Sequence, residues 1–203
     1  MATVCGPHHL YVARPECIEF HHSGNVLPSM STTLGYVEYG TDVTIGIGDG
    51  HALNCYSLSL PLSGEQELEK GGQRLLSDRG CGVIVSPHET QRLTIAGNCH
   101  KLQVAIGRAA MQKTLEELLQ RRVDAPLCFE PRMNALKGAA AGWWRMVRHL
   151  SDELEHSRDL YGQMLFTRDL ESALIKGLIL SQPSNYADEL RERLALKLPH
   201  YLV

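Results

Sequence analysis

The stretch that decides the fold is residues 56–94, which read YSLSLPLSGEQELEKGGQRLLSDRGCGVIVSPHETQRLT. In residues 56–63 apolar side chains alternate with serine and proline. A period of two is typical of a β-strand with one buried face and one solvent-exposed face. We therefore expect the apolar side chains of this strand to point into the interior of a barrel.

The rest of this stretch predicts a hairpin and two more strands. Residues 66–69 and 73–76 are separated by Lys70-Gly71-Gly72, where glycines supply the positive φ of a tight hairpin turn. Residues 83–85 form a short apolar run, and a proline-containing turn separates it from residues 92–95. This order of strand, hairpin and strand predicts half of a small antiparallel β-barrel.

Length and composition indicate an ordinary soluble globular protein. The chain has 203 residues, of which 43% are hydrophobic and 21% charged, and its formal net charge is -3. These values are typical of a domain with one good core. A domain that binds nucleic acid is usually basic, so we expect none of that activity from these residues alone.

The cysteines and the apolar segments indicate a cytoplasmic location. Six cysteines occur without a CxxC pair, as expected of reduced thiols. Residues 1–10 are polar and rich in histidine, unlike a secretory signal. No segment approaches the roughly 18 consecutive apolar residues that a membrane span requires. We therefore expect no membrane association.

The period of the apolar residues changes part-way along the chain. After an arm over residues 1–30, the pattern to residue 107 is typical of roughly eight short strands. From Arg108 onward the apolar residues follow helical spacing, most clearly in residues 143–154 and 161–180. The fold class predicted is therefore α+β, with an antiparallel barrel and its arm in residues 1–107 and a helical segment in residues 108–203.

Motifs for metal binding and catalysis are missing from the sequence. Ten histidines are present, but the adjacent pairs at 8–9 and 21–22 place their side chains on opposite faces of a strand. Residues 56–58, Tyr-Ser-Leu, occupy the place where a cupin-type HxH pair would be expected. The common hydrolase, phosphate-binding and dinucleotide-binding motifs do not occur. We therefore predict no metal site, no cofactor and no catalytic residue.

Short motifs follow one another in a characteristic order. They are Glu38-Tyr39-Gly40, Val43-Thr44-Ile45, Leu60-Pro61-Leu62-Ser63-Gly64, Ser86-Pro87, Cys99-His100-Lys101-Leu102, Arg108-Ala109-Ala110, Leu127-Cys128-Phe129-Glu130-Pro131, Gly142-Trp143-Trp144 and Gln182-Pro183-Ser184-Asn185-Tyr186. Together they resemble the N-terminal effector-binding domain of AraC/XylS-type bacterial transcription regulators. The resemblance is to the branch that responds to small aromatic acids, and it covers nearly the whole chain.

The resemblance implies a cupin-like barrel that encloses a small effector, followed by helices that form a homodimer. In such regulators a pair of helix-turn-helix units follows this region. The chain stops at Val203, about where that module would begin. We expect either a truncated chain or a protein without its DNA reader, and the sequence leaves both open. In either case DNA would be bound only through the absent module.

An aromatic acid in the barrel would need apolar walls for its ring and a cation or several donors for its carboxylate. Strand parity predicts the walls, namely Ile45, Tyr56, Leu58, Leu60 and Leu102. The polar candidates are His22, Tyr36, Arg92 and His100. The resemblance favours His100, because barrels of this family place ligand contacts at alternate positions of the strand before the first helix. The alternative is that the apolar set is ordinary core and that His22 and Arg92 face water.

The helix predicted over residues 161–180 is the candidate dimer interface. Leu170, Leu174 and Leu178 recur there at a spacing of four. This helix carries more apolar residues than one stripe requires, so we expect two buried faces, one of them in a homodimer. The alternative is that the stripe packs on the barrel.

The sequence thus predicts a non-enzymatic, effector-binding and dimerising domain of a transcription regulator. One alternative is a cupin-fold metal-dependent enzyme with at least three convergent histidine or carboxylate ligands. Another is a dimerisation module whose barrel is filled by its own side chains. The identity of the effector, its activating or repressing effect and the target promoter stay open.

Overall fold

The structure is a computed structural model that describes residues 9–27, 31–47 and 53–195. The strands are β1 (His9–Val12), β2 (His21–Val26), β3 (Thr32–Glu38), β4 (Val43–Ile47), β5 (Cys55–Ser63), β6 (Gln66–Lys70), β7 (Gln73–Ser77), β8 (Cys81–Val85), β9 (Gln91–Ile95), β10 (His100–Gly107) and β11 (Arg132–Asn134). The helices are α1 (Arg108–Leu119), α2 (Gly138–His156), α3 (Arg158–Tyr161), α4 (Met164–Ser181) and α5 (Ala187–Ala195). The α+β prediction is confirmed.

The strands form two antiparallel sheets that face each other, as in a cupin-like barrel. The five-stranded sheet has the order β1-β4-β9-β6-β7. The six-stranded sheet has the order β11-β8-β5-β10-β3-β2. Within the described residues no strand ladder joins the two sheets, so the barrel is open along its edges. The helices cover the outer face of the six-stranded sheet.

The hairpin predicted from glycine is present. β6 and β7 pair from Gln66 opposite Ser77 to Lys70 opposite Gln73. The two residues between the strands, Gly71 and Gly72, have φ values of 56° and 77°. Residues with a Cβ rarely adopt this left-handed conformation, which is why two glycines produce the tight turn here.

An apolar core lies between the two sheets. Its buried members come from both sheets and include Val37, Val43, Leu68, Val83, Val85, Leu93 and Ile95. Ile45, which the sequence predicts as a wall residue, packs against this core. Side chains of the protein itself therefore occupy the middle of the inter-sheet space.

A larger core lies between the six-stranded sheet and the helices. The sheet contributes Leu34, Leu58, Ile84, Leu102 and Val104, and the helices contribute Leu115, Trp143, Trp144, Val147, Leu174 and Leu178. Gly82 permits the closest approach, because a Cβ at this position would lie 2.7 Å from Cζ2 of Trp144. The indole therefore packs directly on the backbone of β8.

The predicted parity of the central strands is wrong by one residue. Tyr56, Leu58, Leu60 and Leu102 point toward the helices rather than into the space between the sheets. The prediction assumed that the second face of β5 is solvated, whereas Ser59 on that face is also buried. A sheet covered on both sides has no solvated face, so alternation alone does not identify the interior.

The helical half begins where the sequence places it, at Arg108. The apolar stripe at residues 143–154 lies in α2, and the helix predicted over residues 161–180 is realised mainly as α4. One strand also belongs to this half of the chain. β11 returns after α1 to pair with β8 at the edge of the six-stranded sheet.

Candidate functional site

The inter-sheet space opens to the surface between β7 and the segment that ends in β11. The opening is a cleft of about 460 Å³, which we call the edge cleft. Leu68, Leu75 and Pro131 form its apolar surface, and Lys70, Arg74 and Arg132 are its cations. Gly71, Gln73 and Glu130 complete the lining. This volume lies within the range of about 300–1,000 Å³ that is typical of small-molecule sites.

The three cations of the edge cleft differ in how far they are neutralised. Lys70 Nζ lies 2.8 Å from Glu89 Oε1, with both side chains partly buried. Arg74 Nη1 lies 3.6 Å from Glu67 Oε1 in an exposed pair, which holds it weakly. In the described part of the chain, Arg132 has no carboxylate within salt-bridge distance. The cleft therefore offers at least one free guanidinium to an anion.

One wall of the edge cleft is hydrogen-bonded to the end of α4. The Gln182 side-chain amide donates to the Glu130 carbonyl at 2.7 Å and to the Arg132 carbonyl at 2.9 Å. The backbone N–H of Glu130 donates to the Pro183 carbonyl at 2.9 Å. A displacement of this wall would therefore be transmitted to the segment between α4 and α5.

A buried polar cluster lies at another point between the sheets, around Gln66. Its amide Nε2 donates to Ser59 Oγ at 2.8 Å and to Ser77 Oγ at 3.0 Å. Lys101 Nζ donates to Gln66 Oε1 at 3.3 Å. All four side chains are buried, so the hydrogen bonds within the cluster compensate for the loss of water.

Lys101 is the exceptional member of this cluster, because it is a buried cation. Only 1% of the residue is exposed, and no described carboxylate lies within salt-bridge distance of it. Burial disfavours the ammonium form and lowers the pKa of Lys101 to about 8, with a smaller opposing effect from Cys99. The cluster thus holds an ammonium inside the molecule that no described carboxylate neutralises and that loses its proton more readily than an exposed lysine.

The structure does not gather the predicted polar candidates into one site. His22 is exposed on the edge strand β2 and stacks on Phe20 with 6.3 Å between ring centroids. Partial burial lowers the pKa of His22. Arg92 is exposed on β9 at a position opposite Gly46 and Glu69, on the face turned away from the inter-sheet core. Arg92 is therefore turned away from the interior that it was predicted to line, whereas His22 lies at the open edge of the sheet, opposite Val37 of the inter-sheet core.

Tyr36 and His100 lie together, but on the helix side of the six-stranded sheet. Their rings stack with 5.6 Å between centroids. The Tyr36 hydroxyl donates to Asp152 Oδ1 of α2 at 2.9 Å. Burial, reinforced by this carboxylate, raises the pKa of Tyr36 to about 12. The pair connects the sheet to α2, so the placement of His100 inside the barrel is wrong.

The predicted dimer residues are directed into the chain itself. Leu174 and Leu178 are buried in the core beneath the helices, and Leu170 is partly buried against the same core. The exposed large apolar side chains of α4 are instead Met164, Leu165, Phe166 and Leu180, of which Met164 and Leu165 are the most exposed at 66% and 74%. The apolar stripe therefore packs within the chain's own core, chiefly against α1 and α2.

The residues missed by the sequence reasoning are the cations of the edge cleft and Lys101. Lys101 and Gln103 alternate with the apolar residues of β10, and this alternation was the available signal. It becomes informative once the helices are known to cover the apolar face. The edge cleft had no comparable signal, because Arg132 reaches it from a three-residue strand beyond α1.

Two further properties of the described residues bear on function. They contain no group of three or more histidine, cysteine, aspartate or glutamate side chains that could hold a metal ion. None of the helices in residues 53–195 is long and apolar enough to cross a membrane.

Comparison with known families decides what kind of domain this is. The model of the AraC-binding-like domain family matches residues 1–180. The chain belongs to this family. No curated protein matches the chain in sequence. The AraC-binding-like match covers both sheets and nearly all of α4, so it includes the edge cleft and its wall.

A solved structure shares this fold over nearly the whole chain. The AraC-like transcriptional activator CuxR superposes with a TM-score of 0.58 and 9% identity, covering 96% of this chain and 72% of that chain. The cupin domain of Schizosaccharomyces pombe Cnp3 gives a TM-score of 0.37 at 11% identity, over 49% of this chain and 76% of that one. A cupin 2 barrel protein from Salinispora arenicola gives a TM-score of 0.34 at 17% identity, over 44% of this chain and 77% of that one. Only the first score supports a shared fold.

Proposed function

We propose that this chain is the ligand-sensing and dimerisation domain of an AraC/XylS-type transcription regulator, and that its effector is a small aromatic carboxylate. It performs no catalysis and works in the cytoplasm. The observation that carries the proposal is the edge cleft, an opening into the inter-sheet space with an apolar surface and an unneutralised guanidinium. Membership of the AraC-binding-like family supports the regulatory role.

The chemistry of the edge cleft matches an aromatic acid in two respects. Leu68, Leu75 and Pro131 can remove the ring from water, which is the main driving force for an apolar ligand. Arg132 can form paired hydrogen bonds to a carboxylate, a geometry that lysine cannot match.

The wall of the edge cleft provides a route from effector to helices. Arg132 binds the effector through its side chain, while its carbonyl accepts a hydrogen bond from Gln182. An effector that favours one position of this segment favours the matching position of the segment between α4 and α5. A ligand shifts such an equilibrium only by its difference in affinity for the two states. The attached DNA-binding module would read that shift.

The dimer uses the exposed end of the helical layer rather than the buried stripe. Leu160 of α3 exposes a large apolar side chain, as do Met164 and Leu165 at the start of α4, and Phe166 beside them is about one-third exposed. Apolar residues gathered in this way are typical of protein–protein contacts. Replacing Leu165 by Asp should give a folded monomer in light scattering, whereas Leu178→Asp should unfold the chain. A dimer mass unchanged by Leu165→Asp contradicts this interface.

The effector proposal is tested by thermal melting with a panel of benzoate-like acids, neutral benzamides, sugars and divalent metals. A ligand at 100 times its Kd stabilises the folded state by about 2.7 kcal/mol. For a domain of this size that amounts to a shift of a few degrees. We expect the shift with one or more aromatic acids and not with the matching benzamide.

Two variants make the test specific for the edge cleft. Arg132→Gln removes the free cation and should weaken the affinity for the acid roughly tenfold. Arg92→Gln removes an exposed arginine from the opposite surface of the five-stranded sheet and should leave the affinity unchanged. Equal affinity in Arg132→Gln and wild type rejects the edge cleft as the effector site. Stabilisation by metals alone would favour a cupin-fold enzyme instead.

A further inference from the structure

A second cleft lies outside the sheets, between β5, α1 and the connection that follows α1. We call it the helix cleft; its volume is about 310 Å³. Its apolar part comes from Tyr56, Leu115, Val123, Pro126 and Leu127. Of these, Tyr56, Leu115 and Leu127 are almost completely buried, so they form a fixed floor rather than a surface patch. Tyr56 does not reach the barrel interior, but it does line a cavity.

The rim of the helix cleft carries more side chains that can donate hydrogen bonds than carboxylates that could accept them. Arg108 and Gln112 are one turn apart on α1 and share a face with Leu115. His88 reaches the same cleft from the turn after β8, and its ring stands edge-on to Tyr56 at 6.5 Å. In the ranges that the structure describes, Arg108 forms no salt bridge. Asp124 is the single carboxylate among the lining residues.

The cation of the rim at neutral pH is Arg108, and the Asp124 carboxylate partly offsets its charge. Partial burial, followed by the nearby guanidinium of Arg108, lowers the pKa of His88, with Glu89 opposing. His88 is therefore mostly neutral at pH 7 and can donate one hydrogen bond. Glu89 is held by Lys70 at 2.8 Å, which limits its repulsion of an anion. An anion in the helix cleft thus meets a guanidinium, an imidazole N–H and the amide of Gln112.

The outer wall of the helix cleft is fastened to the start of α5. The Tyr186 hydroxyl donates to the Ala125 carbonyl at 2.8 Å, and Asn185 Nδ2 donates to the Pro126 carbonyl at 3.0 Å. The Tyr56 hydroxyl donates to the Leu127 carbonyl at 2.7 Å. Three consecutive carbonyls are therefore fixed by side chains, two of which belong to the residues that precede α5.

We propose that the helix cleft is a second binding site for a small organic carboxylate, with its apolar body on Tyr56, Leu115 and Leu127 and its carboxylate on Arg108. His88 and Gln112 donate to the same carboxylate. A ligand held in this way joins α1 to residues 123–127 and, through Asn185 and Tyr186, to α5. The site is independent of the edge cleft, since the lining residues of the two do not overlap.

The test is a titration of the whole chain with benzoate, hexanoate and benzamide, followed by two-dimensional amide proton–nitrogen NMR spectra. The two acids should shift the amide signals of residues 108–127 in a saturable way, with a Kd near or below about 1 mM. Benzamide, which has the same ring without the charge, should bind more weakly. Signals of Leu68, Leu75 and Arg132 report the edge cleft in the same spectra.

Three variants separate the possible outcomes. Arg108→Gln should weaken the affinity for the two acids, measured on the signals of residues 108–127, roughly tenfold. Asp124→Asn should strengthen that affinity a few-fold, because it removes the repulsive charge. Arg122→Gln, which removes a neighbouring exposed arginine outside the cleft, should change nothing. The inference is overturned if neither acid shifts these signals at about 10 mM, or if Arg108→Gln binds as well as wild type. Shifts confined to Leu68, Leu75 and Arg132 overturn it while supporting the edge cleft.

Discussion

The two faces of the six-stranded sheet are both buried, yet along β5 and β10 they carry opposite kinds of side chain. The outer face presents Leu58 and Leu102 to the helices. The inner face, one residue away along the same strands, carries Ser59 and Lys101. The difference follows from what each face meets. The helical layer offers large apolar side chains such as Trp144, whereas the inner face meets a second sheet whose Gln66 forms hydrogen bonds with it.

The largest expected effect comes from the outer face. Leu58 is fully buried between β5 and the helices, so Leu58→Ala would leave a cavity in a packed core. We expect the free energy of unfolding to fall by about 2–5 kcal/mol. Urea unfolding followed by circular dichroism measures the change.

Leu58→Met is the matched control, because it keeps the volume and the apolar character. It should lower the free energy of unfolding by less than about 1.5 kcal/mol. If the Met and Ala variants lost equal free energy of unfolding, the shape of the side chain and not its buried apolar area would determine the stability contributed by this face.

The elements of this fold could be predicted from sequence because their causes are local. Gly71 and Gly72 specify the hairpin turn wherever the strands lie. The apolar spacing from Arg108 likewise specifies a helix without reference to its partners. The facing of β5 could not be predicted in the same way. It depends on the packing of the helices against the sheet, which is part of the tertiary structure and not of the local sequence.

The candidate sites could be predicted less well than the elements, for a related reason. Arg132 belongs to the edge cleft because β11 pairs with β8, some fifty positions earlier in the chain. Tyr56 was predicted as a wall of a pocket inside the barrel, whereas the cleft that it lines lies on the opposite face of the sheet. His100 has the same parity as Leu102, so the same one-residue error of facing placed it inside the barrel.

The second prediction concerns the inner face and has the opposite sign. Lys101→Met should stabilise the fold at pH 7, because it removes an ammonium that is buried without a carboxylate. The gain is on the order of 3 kcal/mol for a lysine whose pKa falls from 10.5 to about 8. Gln66 Oε1 keeps a donor in the variant, since Ser59 Oγ lies 3.1 Å away. Urea unfolding at pH 7 measures the gain.

The pH dependence of this gain identifies its cause. Below pH 8 the lysine is protonated in both the folded and the unfolded chain, so the wild type is destabilised by the full amount. Between about pH 8 and 10.5 the unfolded chain binds more protons than the folded one, and the stability of the wild type rises relative to Lys101→Met. A difference between the two proteins that stays constant from pH 7 to pH 10 would contradict a buried charge as the cause.

The smallest effect is expected at Ser57, the inner-face neighbour of Leu58. Its Oγ accepts a hydrogen bond from Gln103 Nε2 at 2.8 Å, and Ser57→Ala removes that acceptor without leaving a large cavity. We expect a loss of about 1 kcal/mol, the usual contribution of one such bond. The double variant Ser57→Ala with Gln103→Leu should recover part of this loss, because both polar partners are then gone. If Ser57→Ala were instead as damaging as Leu58→Ala, the inner face would depend on packing as strongly as the outer one, and the contrast between the two faces would not hold.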